Sequence, residues 1–257
     1  MPPLSSEQVL AWGDYQEAPW GRLRLDLIHE VLGRHLPSQP RRVLDAGCGL
    51  GELAVELARS GSEVVAADAS EPMLTEAERR AGDSSVRWVA VEVERAAERF
   101  ADERFDLVLC HNVLGYVADP ATTCASLATL LEPGGMLSLT VLNRAAEPLR
   151  QAFLLRDLEA GLAAAENEEP KRRGQTLGID SRQEELEDAT GWLTTAGLEP
   201  VAAAGLLLVN HFLGAHDETN RTAEGYEAVR RLELALCERD PYRQVAPLLQ
   251  LIGRRPA

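Results

Sequence analysis

Lysine is almost missing from this chain: Lys171 is the single one among 26 lysine and arginine residues. Positive charge as a whole is also short, since 41 aspartates and glutamates oppose those cations and leave a formal net charge of −15 at pH 7. That balance argues against a broad electrostatic grip on nucleic acid or an anionic membrane, and leaves only a local basic patch for such a purpose. The four cysteines, Cys48, Cys110, Cys124 and Cys237, lie far apart and form no CxxC pair, which argues against a disulfide framework or a structural zinc site. No histidine pair has the HExxH pattern, so no metal is expected. No apolar run approaches the roughly 18 residues of a membrane span. The longest, Val201–Val209, has the length of a strand. At the N-terminus, Met1 to Ser6 leads into a charged and aromatic segment rather than the apolar stretch of a signal peptide. A cytoplasmic protein that does not engage a membrane is expected.

What is present is ordinary globular material: 257 residues, of which 45% are hydrophobic and 26% charged. That length suits one α/β domain with an elaboration, or at most two small ones. Residues 1–40 read as helical, with Leu23, Leu27, Val31 and Leu32 at helical spacing and Pro37 and Pro40 as terminators. A regular alternation follows over 41–142. Strands are expected at Arg42–Asp45, Glu63–Asp68, Val86–Val91, Phe105–Cys110 and Met136–Leu142. Helices are expected at Glu52–Ser60, closed by Gly61, after the Ser70 cap with Pro72, and from Asp119-Pro120 to Leu131. Glu132-Pro133-Gly134-Gly135 reads as a turn. Strands alternating with helices at this spacing predict a parallel sheet with helices on both faces and a ligand at the strands' carboxyl ends.

The rhythm breaks over 143–182, which holds a helical piece (Glu147 to Ala165), an acidic run (Glu166 to Glu169) and Lys171-Arg172-Arg173. This stretch reads as a cap inserted above the sheet. Residues 183–257 resume the sheet, with a helix at Glu184–Ala196, a strand at Val201–Val209, a helix at Tyr226–Glu238 and a final strand at Val245–Gly253.

The chemistry concentrates in Val43-Leu44-Asp45-Ala46-Gly47-Cys48-Gly49-Leu50-Gly51-Glu52. Alternate glycines directly after a strand let the backbone turn sharply and approach a ligand, and the following helix presents free N–H groups. A dinucleotide fingerprint would place its third glycine at position 52, where this chain has Glu52. A carboxylate there would repel a pyrophosphate, so an NAD-dependent oxidoreductase is only a remote alternative. Asp45 adds a second negative group able to hold a cation. Asp68, at the end of the second expected strand, occupies the place from which an acidic side chain accepts hydrogen bonds from ribose hydroxyls. Met73, one helical turn on, is positioned to lie against an adenine face. A phosphate-free nucleoside bearing positive charge describes S-adenosylmethionine.

Through VLDAGCGLGE, VVAADASEPML, FDLVLCHNVLGYVADP and LEPGGMLSL the sequence resembles the class I S-adenosylmethionine-dependent methyltransferases. The resemblance implies a Rossmann-like sheet of seven strands with helices on both faces and its last strand antiparallel, here with N-terminal helices and an inserted cap. It implies that Gly47, Gly49 and Gly51 line the methionine end of the cofactor and that Asp68, beside Ala69, binds ribose. Val93 or Glu94 would meet the adenine, and His111, Asn112 and Val113 would lie under the sulfonium. The product would be S-adenosylhomocysteine. Across its whole length the chain is also similar to bacterial tRNA methyltransferases that esterify the carboxylate of wobble carboxymethoxyuridine. VADP at 117–120, PKRRGQTL at 170–177, NHFL at 210–213 and the segment 226–256 carry that similarity. Two features depart from it: Gly115-Tyr116 stands where that family has an acidic–aromatic pair, and the basic stretch is short. The acceptor is therefore either tRNA or a small molecule.

A carboxylate nucleophile is already ionised at pH 7 and needs orientation rather than a base, for which arginine offers a bidentate fork. Arg144, Arg150, Lys171, Arg172 and Arg173 are the candidate cations, each more readily read as a solvated surface charge. A hydroxyl or amine acceptor would need a base, for which His111 is best placed. His211 and His216, near the sixth expected strand, are candidates to border the acceptor pocket, whereas His29 and His35 fit structural roles. Tyr15, Trp20 and Tyr116 are candidate walls of the acceptor site, or core aromatics.

Overall fold

The computed structural model describes residues 4–166, 178–214 and 218–257, and the backbone alone of 171–173. Two helices open the chain. α1 (Ser6–Glu17) starts at a capping box in which Ser5 and Gln8 exchange hydrogen bonds, and α2 (Pro19–His35) begins on the proline that needs no N–H partner. The alternation then runs β1 (Arg42–Ala46), α3 (Glu52–Arg59), β2 (Glu63–Asp68), α4 (Glu71–Ala81), β3 (Val86–Ala90), α5 (Ala96–Arg99), β4 (Phe105–His111), α6 (Pro120–Ala128) and β5 (Leu131–Leu142). Beyond it lie α7 (Glu147–Leu149), α8 (Leu158–Glu166), β6 (Lys171–Arg173), β7 (Asp180–Arg182), α9 (Leu186–Thr195), β8 (Glu199–Leu206), α10 (Leu208–Leu213), α11 (Ala223–Leu236), α12 (Tyr242–Val245) and β9 (Leu248–Arg254).

Seven strands form one sheet in the order β3-β2-β1-β4-β5-β9-β8. β1 to β5 pair in parallel; β9 runs antiparallel to both β5 and β8, so six strands point one way and β9 the other. The sheet is thus the methyltransferase variant of the Rossmann arrangement, as expected. Period-two alternation divides its side chains between two cores. Val108, Cys110, Leu249 and Leu251 face Phe100, Leu127 and Leu193 from α5, α6 and α9. Leu107, Leu109, Leu248 and Ile252 face Leu23, Leu27, Leu53 and Val229 from α2, α3 and α11. The helix after β1 covers one face and the helix after β4 the other, so the chain leaves a crevice above the carboxyl ends of β1 and β4. That switch point positions the site.

Several boundaries differ from expectation. α6 ends at Ala128, and the Glu132–Gly135 turn is a bulge inside β5: Phe105 pairs with Leu131, and Leu107 with Met136. The single helix expected from Glu147 to Ala165 is broken into α7, a π-helical turn at Arg150–Leu154 and α8, with Arg156 at φ 60 between them. β8 ends at Leu206, because Leu207 turns left-handed (φ 67) and the apolar residues after it start α10. The final strand begins at Leu248 rather than Val245, which belongs to α12. The inserted segment also holds an antiparallel pair, with Lys171 opposite Arg182 and Arg173 opposite Asp180.

Candidate functional site

The loop after β1 is fixed from two sides. The Gly47 and Cys48 amides both donate to the Ala67 carbonyl, at 2.7 and 3.0 Å, which locks the loop to the end of β2. Gly47 (φ 84) and Gly51 (φ 74) adopt left-handed backbone that side chains disfavour. Space forbids a larger residue as well: a Cβ on Gly47 would lie 2.1 Å from Val113 Cγ2, and one on Gly51 2.4 Å from Trp88 Cη2. Asp68 closes the loop, accepting from the Gly49 amide at 2.9 Å and the Ser70 amide at 2.8 Å. Burial raises its pKa while those amides oppose the rise. Each oxygen keeps a lone pair for a further donor.

A cavity of about 560 Å³ opens above this loop. Of the residues expected at the cofactor, Gly47, Gly49, Asp68, Ala69, Met73, Val93, Glu94, His111, Asn112 and Val113 line it. Asp45 and Gly51 do not; they stand behind the lining, Gly51 turned toward Trp88. Asp45 is 5% exposed, and burial, together with the charges of Asp68 and Glu52, pushes its carboxyl up to about 7. No ion pair to it occurs among the described residues.

The N-terminal helices bring a group that periodicity alone hides. Arg24 on α2 is buried, lines the cavity and has no carboxylate partner among the described residues. Its guanidinium donates to Gln16 Oε1 and lies 5.3 Å from the Trp12 ring centroid and 5.6 Å from that of Tyr15, while its Nε has no hydrogen-bond partner. Gln16 in turn donates to Glu52 at 3.3 Å, so one chain of polar contacts joins α1, α2 and the head of α3. A buried cation and a buried anion, both unpaired and flanking the same glycine loop, suit a ligand carrying both charges. Tyr15 stacks on Trp12 and belongs to this cluster, at the glycine-loop end rather than in a separate acceptor wall. Arg24 sits on the leucine-rich stripe of α2, and an arginine on such a stripe was the available signal.

His111 ends β4 inside the cavity. Its Nε2 is 2.9 Å from Ser138 Oγ, and burial, then the charge of Arg24, pushes its pKa down to about 3. The imidazole is neutral at pH 7 and too weak a base to take a proton from a hydroxyl. Asn112 (φ 57) is held in its left-handed turn by Thr140, whose carbonyl and Oγ1 both accept from the Asn112 amide. Burial pushes the thiols of Cys48 and Cys110 well up, so neither is a ready nucleophile.

The opposite side of the cavity is lined by Trp20, Tyr116, Arg150 and His211, all expected, and by Ser181, Arg182, Asn210, Asn220 and Arg221, which were not. Arg150 is buried and doubly bonded to Glu147, at 2.9 and 2.7 Å, so its charge is already matched. Arg182 lies 3.2 Å from Glu184, and Arg221 3.7 Å from Glu218. Arg144 pairs with Glu185 at 3.7 Å and lies off the lining. Lys171, Arg172 and Arg173 are placed by backbone only, beside the strand that carries Arg182. His216 lies outside the described residues. His29 and His35 contact Glu56 and Glu238, each at 2.6 Å, away from the cavity. Among the described residues no group of His, Cys, Asp or Glu could hold a metal ion, and no helix is long and apolar enough to cross a membrane.

Residues 44–139 match a family model described as a methyltransferase domain. A tRNA 5-carboxymethoxyuridine methyltransferase of Escherichia coli is 30% identical over 243 residues, which cover 92% of this chain and 89% of that one. A ubiquinone biosynthesis O-methyltransferase of Ralstonia nicotianae is 34% identical over 208 residues, 79% of this chain and 80% of its own. Among solved structures, an S-adenosylmethionine-dependent methyltransferase from Mesorhizobium loti superposes with a TM-score of 0.63 at 18% identity, over 93% of this chain and 99% of that one.

Proposed function

The chain belongs to the class I S-adenosylmethionine-dependent methyltransferases, and from that premise we propose that it methylates an oxygen nucleophile, the carboxylate of wobble 5-carboxymethoxyuridine in tRNA. The observation that carries this reading is the extent of the similarity. The match to the tRNA enzyme runs through 92% of the chain and so includes the segments that build the far side of the cavity, not only the cofactor half.

The residues present fit the cofactor. Arg24, buried and without a carboxylate, receives the methionine carboxylate; Asp45, behind the glycine loop, favours the nearby positive charges. Asp68 accepts from the ribose hydroxyls on its remaining lone pairs. Met73, Val93 and Glu94 line the part of the cavity that would hold the adenine, and His111 to Val113 line the part that would hold the sulfonium. When bound, the cofactor supplies a methyl carbon made electrophilic by its sulfonium. The protein's task is to hold an acceptor oxygen about 3–3.5 Å from that carbon, in line, and to exclude water. A carboxylate acceptor gives up no proton, which agrees with a neutral His111 that serves as a wall and not as a base. Arg221, only loosely paired with Glu218, and Arg182, which shares the hairpin of Lys171 to Arg173 and lies beside Glu184, are the cations we assign to an anionic acceptor in a chain of net charge −15. Residues 143–182 act as the acceptor cap, and Trp20 and Tyr116 flank the entering group.

A second reading, methylation of a small metabolite, is favoured by exposed apolar surface: Trp20, which lines the cavity, is 40% exposed, and Phe153 and Phe212, in contact with each other and next in the chain to the lining residues Leu154 and His211, are 51% and 53% exposed. It is also favoured by the similarity to the Ralstonia O-methyltransferase. Incubation with methyl-labelled cofactor and separated tRNA and metabolite pools decides between them. Label in tRNA, released by mild alkali as an ester would be, is the expected result. Unlabelled tRNA at low salt beside a labelled metabolite would overturn it.

A further inference from the structure

α11 packs Val229 inward, and one turn later the same buried face carries Glu233, which is 1% exposed. An apolar residue would fill that place at no electrostatic cost, whereas burial pushes this carboxyl up to about 7. No cation pairs with it among the described residues. Its two oxygens serve one purpose: Oε2 accepts from the Leu208 amide and Oε1 from the Asn210 amide, each at 3.0 Å. Those amides belong to the first turn of α10, where the helix has no internal acceptors.

The turn in question is strained at its entry. Leu207 holds φ 67 and ψ 22, a left-handed conformation that a leucine adopts only when its surroundings hold it there. Leu207, Asn210, His211 and Leu213 all line the cavity, and Asn210 accepts from Asn220 at 2.6 Å. Glu233 itself does not reach the cavity.

We propose that Glu233 is a positioning residue: its carboxylate holds the strained entry of α10, and so sets where Asn210 and His211 stand toward the methyl acceptor. This inference rests on the reading that the α10 side of the cavity receives the acceptor. The cofactor side is built from β1, β2 and α2, and the hydrogen bonds of Glu233 go to α10 instead, so the two half-sites respond differently to its change.

The test uses the full-length chain with Glu233→Gln and Glu233→Asp. Removing one charge-assisted acceptor is expected to speed amide exchange across 208–213 about tenfold in Glu233→Gln, with the 47–55 loop unchanged. S-adenosylhomocysteine affinity stays within about twofold of the parent chain, while KM for tRNA bearing 5-carboxymethoxyuridine rises about tenfold and kcat falls less. Glu233→Asp, which keeps the charge on a shorter stem, recovers part of the KM. Unchanged exchange in folded Glu233→Gln overturns the proposal, and so does a parallel fall in cofactor and acceptor affinity. Should Glu233→Gln fail to fold, the same readouts on Glu233→Asp decide. Should the parent chain methylate no tRNA, the tRNA reading fails, and exchange with cofactor affinity still decides the role of Glu233.

Discussion

Asp68 and Asp45 are both carboxylates near the glycine loop, yet their surroundings assign them different work. Asp68 is held by two amides and faces the cavity, so on the proposed reading Asp68→Ala would remove the acceptors for the ribose hydroxyls. At about 1.5–3 kcal/mol for bonds to a charged group, calorimetry should show S-adenosylhomocysteine binding weakened by roughly 10- to 100-fold. Asp45 has no amide to offset its burial, and its pKa rises from 3.8 to about 7. A carboxyl raised in the folded state contributes stability that is complete below its unfolded value and lost as pH rises through about 7. Asp45→Asn should therefore stabilise the cofactor-free protein at pH 8, by on the order of 1–4 kcal/mol in denaturant titration. A cationic ligand reverses the sign, because it favours the ionised form. Cofactor affinity of the parent chain should tighten between pH 6 and 8, with proton release, and that tightening should vanish in Asp45→Asn. Sequence spacing located both acids, since each ends a strand whose apolar run is plain. It set a cation partner apart from a ribose acceptor but not the difference in their titration, because burial at the loop depends on α1 and α2. Arg24 went unseen for the same reason: the tertiary approach of Gln16, Trp12 and Tyr15 makes it a site residue.

At the scale of elements, the hairpin of β6 and β7 reaches the cavity by packing on the turn after β4. A Cβ on Gly115 would lie 2.5 Å from Ser181 Oγ and 3.0 Å from the Arg182 carbonyl. The serine can rotate away, but the carbonyl cannot. Gly115→Ala should push the hairpin outward, raising acceptor KM several-fold while leaving S-adenosylhomocysteine affinity near that of the parent chain. Equal loss of both would place the defect in the core instead. The departure at Gly115-Tyr116 thus reads as a steric condition for this hairpin. The strands β1 to β5 were legible because each is a bounded apolar run. What escaped were elements decided by single backbone angles: Leu207 converts the end of an apolar run into α10, and Arg156 divides a helical pattern in two. No periodicity carries such information, since neither residue type favours a left-handed conformation.

Over the whole molecule, the charge balance and the cofactor chemistry make separate predictions. S-adenosylhomocysteine at about 100 times its Kd adds roughly 2.7 kcal/mol, which for a chain of this size is a rise in Tm of roughly 5–10 °C. NAD should leave Tm unchanged, given Glu52 at the head of α3. Acceptor KM on tRNA should depend only shallowly on salt, since few cations border the cavity and the rest of the surface repels phosphate. A steep slope would point to a wider basic contact than the described residues offer.

The order of the sheet also has a temporal side. β9 is the seam between β5 and β8, and it places Leu249 and Leu251 in one core and Leu248 and Ile252 in the other. It also follows the other six strands of the sheet in chain order. The five parallel strands with the glycine loop can assemble while synthesis continues, but β8 must wait, a flank without a neighbour, until residue 254 has emerged. A chain cut short of β9 would not lose an ornament; it would leave two raw sheet margins and both hydrophobic layers open at once.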